Sequence, residues 1–571
     1  MLSLPFDRPF TLGRKSVNGR FVIPSGIRCT HASTIAKCFS EISPIGVITT
    51  KSISLSPRKG YREPIYARYA HGCYINAVGL ANPGAESFLA EFEGIEIPSD
   101  KFLLVSLFGA GVESFVGAAR ILRPVADGFE LNMSCPHAKG YGVEIGQDTQ
   151  LLKDITAAVA SAAGVPVIVK LPATLPGLDR TAQAAIGAGA TGLTLINTIG
   201  PAMAAVGDVP ILHNKFGGLS GDGIRPLGLR AVKQVRDALG PGPLIVGMGG
   251  IASPEHVRQY LAAGADLFGV GSALTGMDSA AMCEYFNALQ QDLCEGTATR
   301  ARRTSCEALM SMEYVPTRIA SRLRINPRLF KLVLESLPGC CHNGDLAGKY
   351  FFLCVPGIGE KPFAVFSTQE KSIIVRVVGE FTAHLAELQA GAEVLLRGPY
   401  GRSFPQLGGC TLVLVGGGTG IASLLEVAHR CRNAGRQIFV LGARSQDEFF
   451  DLERFRELGA VSLATDDGTL GFHGYVSDLL REFVANIPAH QQENLVFINC
   501  GPEPMVWECF SIEKAVVPET RIYGSIEYMT SCGVGICGKC ASPSGALTCI
   551  DGPFLPLRDF QPRGRRSTST L

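Results

Sequence analysis

Four cysteines near the C-terminal end of the chain have the types and spacing for thiolate–metal chemistry. Cys532, Cys537 and Cys540 follow C-x4-C-x2-C, and eight residues separate Cys540 from Cys549. Three thiolates on one tight loop, with a fourth returning from a short hairpin, have the ligand spacing of a [2Fe–2S] cluster. Gly533, Gly535 and Gly538 fit a backbone wrapped closely around such a cluster, which needs positive φ angles. A structural zinc site also takes four thiolates, but zinc loops more often pair two C-x2-C hooks, and only one is present. A one-electron centre works between a donor and an acceptor, so the chain should hold one on each side of it.

The donor side is read from eight short apolar runs between Phe21 and Ser272. They are FVIPSG (21–26), GVITTKS (46–52), FLLVSLFG (102–109), GFELNMS (128–134), VPVIVKL (165–171), GLTLINT (192–198), PLIVGMGG (243–250) and ADLFGVGS (265–272). Continuous apolar strands alternating with helices are buried parallel strands, and eight of them predict a TIM barrel. The alanine-rich intervals Leu151–Gly164 and Leu229–Gly240 are expected as covering helices. Barrel active sites are built at the C-terminal strand ends. Those ends read, in order, Ser25, Lys51, Ser106, Asn132 with Ser134, Lys170, Asn197 with Thr198, Gly249–Gly250 and Gly271–Ser272. A single polar residue there is an ordinary turn former. Two lysines are not, because an ammonium beside a barrel mouth costs desolvation without a partner. The glycine-rich ends of strands seven and eight make a phosphate cradle. A phosphate there and two lysines nearby fit FMN, with Lys170 holding charge near the ring and Gly26 and Gly221 among the contacts.

The whole composition bounds the rest. A chain of 571 residues predicts three or four domains, and 46% hydrophobic with 18% charged residues is ordinary for a soluble globular protein. A net charge of +1 gives no reason to expect a nucleic-acid groove. Eighteen scattered cysteines with one metal-spaced group suit a reducing cytosol rather than a disulfide scaffold. No signal pattern opens the chain, and the apolar run around Cys410–Leu425 is broken by glycines, so it reads as strand–turn–helix rather than a membrane span. A cytoplasmic protein with no membrane partner is expected.

The first half resembles the dihydroorotate dehydrogenases that use a cysteine base. The resemblance is carried by TKS (50–52), NAVGLANPG (76–84), NMSCP (132–136), VIVKL (167–171), INT (196–198), GGLSG (217–221) and GMGGI (247–251), over about residues 1–290. It implies FMN on the barrel mouth and a substrate held by Lys51, Asn76, Asn132, Asn197 and Thr198. Carboxamide and hydroxyl groups with one lysine suit a flat ring carrying N–H and C=O groups and one carboxylate. It also implies Cys135 as general base, on a glycine-rich segment (Gly140, Gly142, Gly146) expected to act as a lid. His137 and Ser106 depart from the family pattern, where asparagines are more usual. NMSCPH also resembles the dihydropyrimidine dehydrogenases.

Residues 291–325 lack strand periodicity and read as a linker with helix. Alternating runs such as KYFFLCVPG (349–357), KSIIVRVVG (371–379) and AEVLLRGPYG (392–401) predict a small β-barrel over 326–405. LVLVGGGTGIAS (412–423) then closes a strand and opens a helix, with Gly416, Gly418, Thr419 and Gly420 at the turn. Alone this is a weak signal. With IFVLGARS (438–445), ATDDGTLGFHGYV (464–476) and FINCGPEPM (497–505) following, it predicts a doubly wound nucleotide domain over 406–515. The cysteine loop and tail occupy 516–571.

Barrel, nucleotide domain and a cysteine loop ending CIDGPF (549–554) resemble the electron-transfer subunit of the NAD-linked dihydroorotate dehydrogenases, within the ferredoxin-reductase superfamily. This implies FAD contacted by Lys361, Pro362 and Phe363 and by Gly398, Tyr400 and Gly401. Lys361 and Ala364 stand where that family usually has Arg and Ser. The family makes the two halves as separate subunits, and here they are fused. The joint expectation is an α/β enzyme that oxidises dihydroorotate to orotate in pyrimidine synthesis, with FMN, [2Fe–2S], FAD and NAD in series. A homodimer through the barrel domain is expected. The alternatives are a dihydropyrimidine dehydrogenase acting on a uracil-type ring, and an electron-carrier module whose barrel only docks a partner.

Overall fold

Strands rich in Val, Ile, Leu and Phe with no polar face must be covered on both sides, and the computed structural model covers them by closing the sheet around one face and packing helices on the other. It describes residues 6, 8–133, 147–295, 312–338, 345–492 and 494–561, and these fall into two compact units. The first unit takes the described residues from 6 to 295 together with Val534–Ala541. The second takes those from 312 to 533 and from 542 to 561.

In the first unit, β1 (Phe21–Ile23), β2 (Ile45–Thr49), β3 (Phe102–Leu107), β4 (Gly128–Asn132), β5 (Val167–Leu171), β6 (Gly192–Leu195), β7 (Leu244–Met248) and β8 (Leu267–Gly269) form a closed barrel. Each pairs in parallel with its sequence neighbours, and β8 closes on β1. All eight predicted strands are present. Val22, Val47, Phe102, Leu104, Ile168, Val246 and Leu267 pack together with Leu12 and Val17 from the hairpin Phe10–Leu12 and Lys15–Val17.

The helix predicted over 151–164 spans Thr149–Ala163. Asp148 caps it by accepting from the N–H groups of Gln150 and Leu151, and Gly164 ends it at φ 62°. The other predicted helix spans Arg225–Leu239. A four-stranded antiparallel sheet, in the order Ile199–Ala202, Gly217–Gly221, Cys73–Asn76 and Tyr66–Ala70, was not anticipated. Its segments come from two loops far apart in the chain, so no local periodicity announced it.

The segment expected as a linker holds the end of the helix Ser279–Glu295 and the start of a strand at Val315. In the second unit β9 (Val315–Asn326), β10 (Leu329–Leu334), β11 (Tyr350–Val355), β12 (Gly359–Ala364), β13 (Ser372–Arg376) and β14 (Glu393–Tyr400) form one antiparallel sheet. Its order is β12-β11-β14-β9-β10-β13. The expected small barrel is built from this ladder, whose end strands β12 and β13 lie against each other. Pro362 in β12 has no N–H to offer a further neighbour.

β15 (Thr411–Gly417), β16 (Arg436–Ala443), β17 (Ala460–Thr465), β18 (Phe472–His473), β19 (Leu495–Cys500), β20 (Ile522–Ser525) and β21 (Leu555–Pro556) follow in the order β18-β17-β16-β15-β19-β20-β21. The pairings are parallel except β20 with β21. Separate apolar clusters cover the two faces of this doubly wound sheet. The order reverses beside β15, where dinucleotide ligands bind in such folds. The run at 410–425 is strand, turn and helix as expected, and no described helix is long and apolar enough to cross a membrane.

Candidate active site

The barrel strands end at a cavity holding about 1250 Å³ of empty space, its open mouth included. Thirteen of the sequence-predicted residues line it: Ser25, Gly26, Lys51, Asn76, Asn132, Lys170, Asn197, Thr198, Gly221, Gly249, Gly250, Gly271 and Ser272. The loops after β1, β2, β6, β7 and β8 bring most of them, β4 and β5 bring Asn132 and Lys170, and the antiparallel sheet brings Asn76 and Gly221. Cys135 and its neighbours Ser134, Pro136 and His137, with the glycines at 140, 142 and 146, lie outside the described residues.

Ser106 is not among the lining residues. It sits inside β3, fully buried, 2.9 Å from the Ser52 hydroxyl, and it donates to Glu130 Oε1 at 3.1 Å. Its side chain is used behind the cavity wall. Ser52, which sequence reasoning passed over inside the TKS motif, lines the cavity instead. It accepts from Asn132 Nδ2 at 3.0 Å and lies 3.2 Å from the Ser25 hydroxyl. Asn197 Nδ2 donates to Asn132 Oδ1 at 3.5 Å, and Asn76 Nδ2 to Gly218 O at 3.2 Å. The carboxamides are therefore held before any substrate arrives.

Glu130 was also missed. It is buried in β4 with Oε1 3.8 Å from Lys170 Nζ, itself buried. A buried ammonium requires such a partner. The other carboxylate oxygen has no hydrogen-bond partner among the described residues. Cys29, on the loop after β1, feels both Lys51 and Lys170, yet burial pushes its thiol up to about 11. It does not line the cavity and is not a thiolate at neutral pH.

The site fits FMN. Gly249 and Gly250 have φ of 120° and 71°, and a Cβ on Gly250 would lie 2.8 Å from Gly221 O. That close backbone approach is what a phosphate cradle needs. Ile65, Ile196, Ile224 and Met248 offer apolar surface to a flat ring.

Ile536 and Cys537, part of the first unit, also line the cavity. Their loop is held by three bonds to the barrel: Arg28 N–H to Ile536 O at 2.8 Å, Thr30 Oγ1 to Cys537 O at 2.6 Å, and Gly276 N–H to Val534 O at 2.9 Å. Nothing local in the sequence signals contacts spanning from 258 to 508 positions.

Cys532, Cys537, Cys540 and Cys549 are all buried, and Gly533, Gly535 and Gly538 have φ of 80°, 69° and 70°. The loop has the left-handed backbone expected of a cluster wrap. Among the described residues no three His, Cys, Asp or Glu are arranged around one ion. Four buried thiolates on such a loop fit a [2Fe–2S] centre, which would divide them between two irons.

Across β11 the two groups of candidate FAD contacts lie level. Tyr350 pairs with Ala364 on one side, next to Lys361–Phe363, and with Tyr400 on the other, next to Gly398 and Gly401. Lys361 and Pro362 are exposed, with Gly398 and Gly401 at φ of 129° and 88°. At the end of β15, Gly416 leads into Gly418, Thr419 and Gly420. A Cβ on Gly420 would come within 2.4 Å of Cys500 O, so the turn is packed tightly against β19 ahead of the helix Ile421–Arg430. A helix N-terminus behind such a turn suits a nucleotide phosphate.

The family model described as dihydroorotate dehydrogenase matches residues 11–293. The catalytic subunit of dihydroorotate dehydrogenase B (NAD(+)) from Pyrococcus horikoshii is 44% identical over 230 residues, 40% of this chain and 74% of its own. That from Methanocaldococcus jannaschii is 39% identical over 233 residues, 40% of this chain and 75% of its own. That from Methanothermobacter thermautotrophicus is 38% identical over 260 residues, 44% of this chain and 82% of its own. A solved structure of an NADH-dependent reduced ferredoxin-NADP oxidoreductase, described for flavin-based electron bifurcation, overlaps 43% of this chain and 88% of its own at 25% identity. Its TM-score of 0.38 is too low to speak for a shared fold. The barrel carries the kinship: the chain belongs to the dihydroorotate dehydrogenase family.

Proposed function

We propose that this chain oxidises dihydroorotate to orotate, a step of pyrimidine synthesis, and delivers the electrons to NAD within one polypeptide. The observation that carries this reading is a single cavity lined by Lys51, Asn76, Asn132, Asn197 and Thr198, with Cys537 of the cysteine loop on its wall. When bound, FMN would take hydride from the substrate, the [2Fe–2S] cluster would carry electrons singly, and FAD would return hydride to NAD. The residues do the rest. Lys51 binds the substrate carboxylate, and the carboxamides of Asn76, Asn132 and Asn197 with the Thr198 hydroxyl hold the ring's N–H and C=O groups. Cys135 removes the proton from the carbon beside the one that loses hydride. Lys170, with its charge secured by Glu130, stands ready for an electron-rich flavin ring. Residues 532–549 hold the cluster, 361–363 and 398–401 hold FAD, and 416–420 hold NAD.

The test is anaerobic turnover by the purified chain with NAD and either dihydroorotate or dihydrouracil. NADH formation with dihydroorotate is expected, together with about one FMN, one FAD and two irons per chain. Preference for dihydrouracil would replace the substrate assignment, and a chain holding zinc or a single flavin would remove the electron path.

Lys51→Ala is expected to weaken orotate binding by about 1.5–3 kcal/mol, the range for a charge-assisted hydrogen bond, or roughly 10- to 150-fold in Kd. Titration of orotate against the flavin absorbance measures it. Unchanged affinity would place the carboxylate elsewhere.

A further inference from the structure

Arg397, in β14 of the second unit, is 1% exposed, and all five of its N–H donors are placed. Nε and Nη2 grip Glu360 at 2.9 and 2.5 Å. Nη1 donates to the Tyr400 hydroxyl at 2.8 Å and to Cys532 O at 2.8 Å, and Nη2 donates to Ser531 O at 3.2 Å. The guanidinium carbon lies 4.0 Å from the Phe352 ring centroid and 5.2 Å from that of Tyr400. Tyr314 donates its hydroxyl to Glu360 Oε2 at 2.8 Å, so the carboxylate is held from two directions. The same strand end also reaches Cys549, whose carbonyl accepts from the Gly401 N–H at 3.1 Å.

A fully buried ion pair is a poor way to gain stability, because desolvating both charges offsets most of their attraction. Apolar residues would pack this interior at least as well. What the pair supplies is a rigid fork that fixes two successive carbonyls, and a positive charge one peptide from a thiolate ligand. Arginine suits this because its five donors lie in one plane, whereas lysine presents three on a flexible stem.

We propose that Arg397, locked by Glu360, is the positioning residue for Cys532 and tunes the potential of the cluster. The inference rests on the reading of residues 532–549 as the cluster loop. Cluster potentials respond to nearby charge and hydrogen bonding, and reduction adds negative charge that a cation stabilises. Glu360 opposes that stabilisation. Its neutralisation therefore has the opposite sign to loss of the arginine fork.

The test compares full-length holoprotein with R397K and E360Q after anaerobic reduction. Iron content, the electron paramagnetic resonance of the reduced cluster and its midpoint potential in a redox titration are read for each. E360Q is close in shape to the native residue and is expected to shift the potential upward. R397K keeps a charge but loses the fork, and an altered spectrum or iron loss is expected. Wild-type iron, spectra and potentials in both variants would overturn the inference, leaving Arg397 as a packing residue. A wild-type chain without a [2Fe–2S] signal would overturn the cluster reading and this inference together. The two failures are thereby distinguished. If R397K does not fold, the sign of the E360Q shift decides, and a downward or absent shift overturns it.

Discussion

Cys537→Ser is expected to abolish NAD reduction by dihydroorotate while the substrate still bleaches the flavin of the barrel. The loop around this residue is held through main-chain carbonyls, Ile536 O to Arg28 and Cys537 O to Thr30, so exchanging the thiol leaves those bonds in place. The change is confined to one thiolate. A serine hydroxyl is a far weaker acid than a thiol and does not replace it as an iron ligand at neutral pH. Steady-state NADH absorbance should fall to background, while rapid mixing with dihydroorotate should reduce one flavin at close to the wild-type rate. Sustained NADH formation in this variant would mean that electrons cross by another route.

Cys135→Ser is expected to slow the first half-reaction by roughly 10²–10⁴-fold at neutral pH, the usual contribution of a positioned base. Binding should survive, since sulfur and oxygen differ little in shape. The wild-type rate should rise with pH through the thiol's own pKa, about 8.5 for a free group and lower if Lys51 or Lys170 is near. The serine variant should recover only part of the loss, and only in alkali. Cys29 feels both of those lysines, but burial pushes it to about 11 and it stands outside the cavity lining, so it is no substitute. Flavin bleaching by dihydroorotate followed from about pH 6 to pH 10 separates the cases. An unchanged rate at neutral pH would reduce Cys135 to a packing residue and make His137 the next base to test.

The barrel was legible because its strands are buried on both faces and therefore read as uninterrupted apolar runs. Polar residues at the ends of such runs have few places to go but the mouth, and Lys51, Asn132, Asn197 and Ser272 all line it. Ser106 shows where that logic fails. It stands within β3, where its hydroxyl is engaged by Ser52 and Glu130 rather than lining the cavity. Glu130 was missed for the same reason, a charge in the middle of an apolar strand whose partner, Lys170, lies on the next one. Arg397 and Glu360 escaped because their pairing crosses β11, and strand register cannot be read from either strand alone. The rim contributed by Ile536 and Cys537 depends on contacts spanning almost the whole chain, and only the folded molecule brings them into view.

That rim also imposes an order on biosynthesis. The eight strands and their helices are complete once the ribosome has passed Glu295, and N-terminal domains fold as they emerge. Val534–Ala541, which belong to the same unit, are made roughly 240 residues later. At about 5–20 residues per second the interval is roughly 10–50 s. During that time a nascent barrel has its lysines and carboxamides in place with one wall of the cavity still untranslated. A transcript cut short anywhere between those points would yield a barrel able to take up ligand on an open side, with no loop to finish the wall.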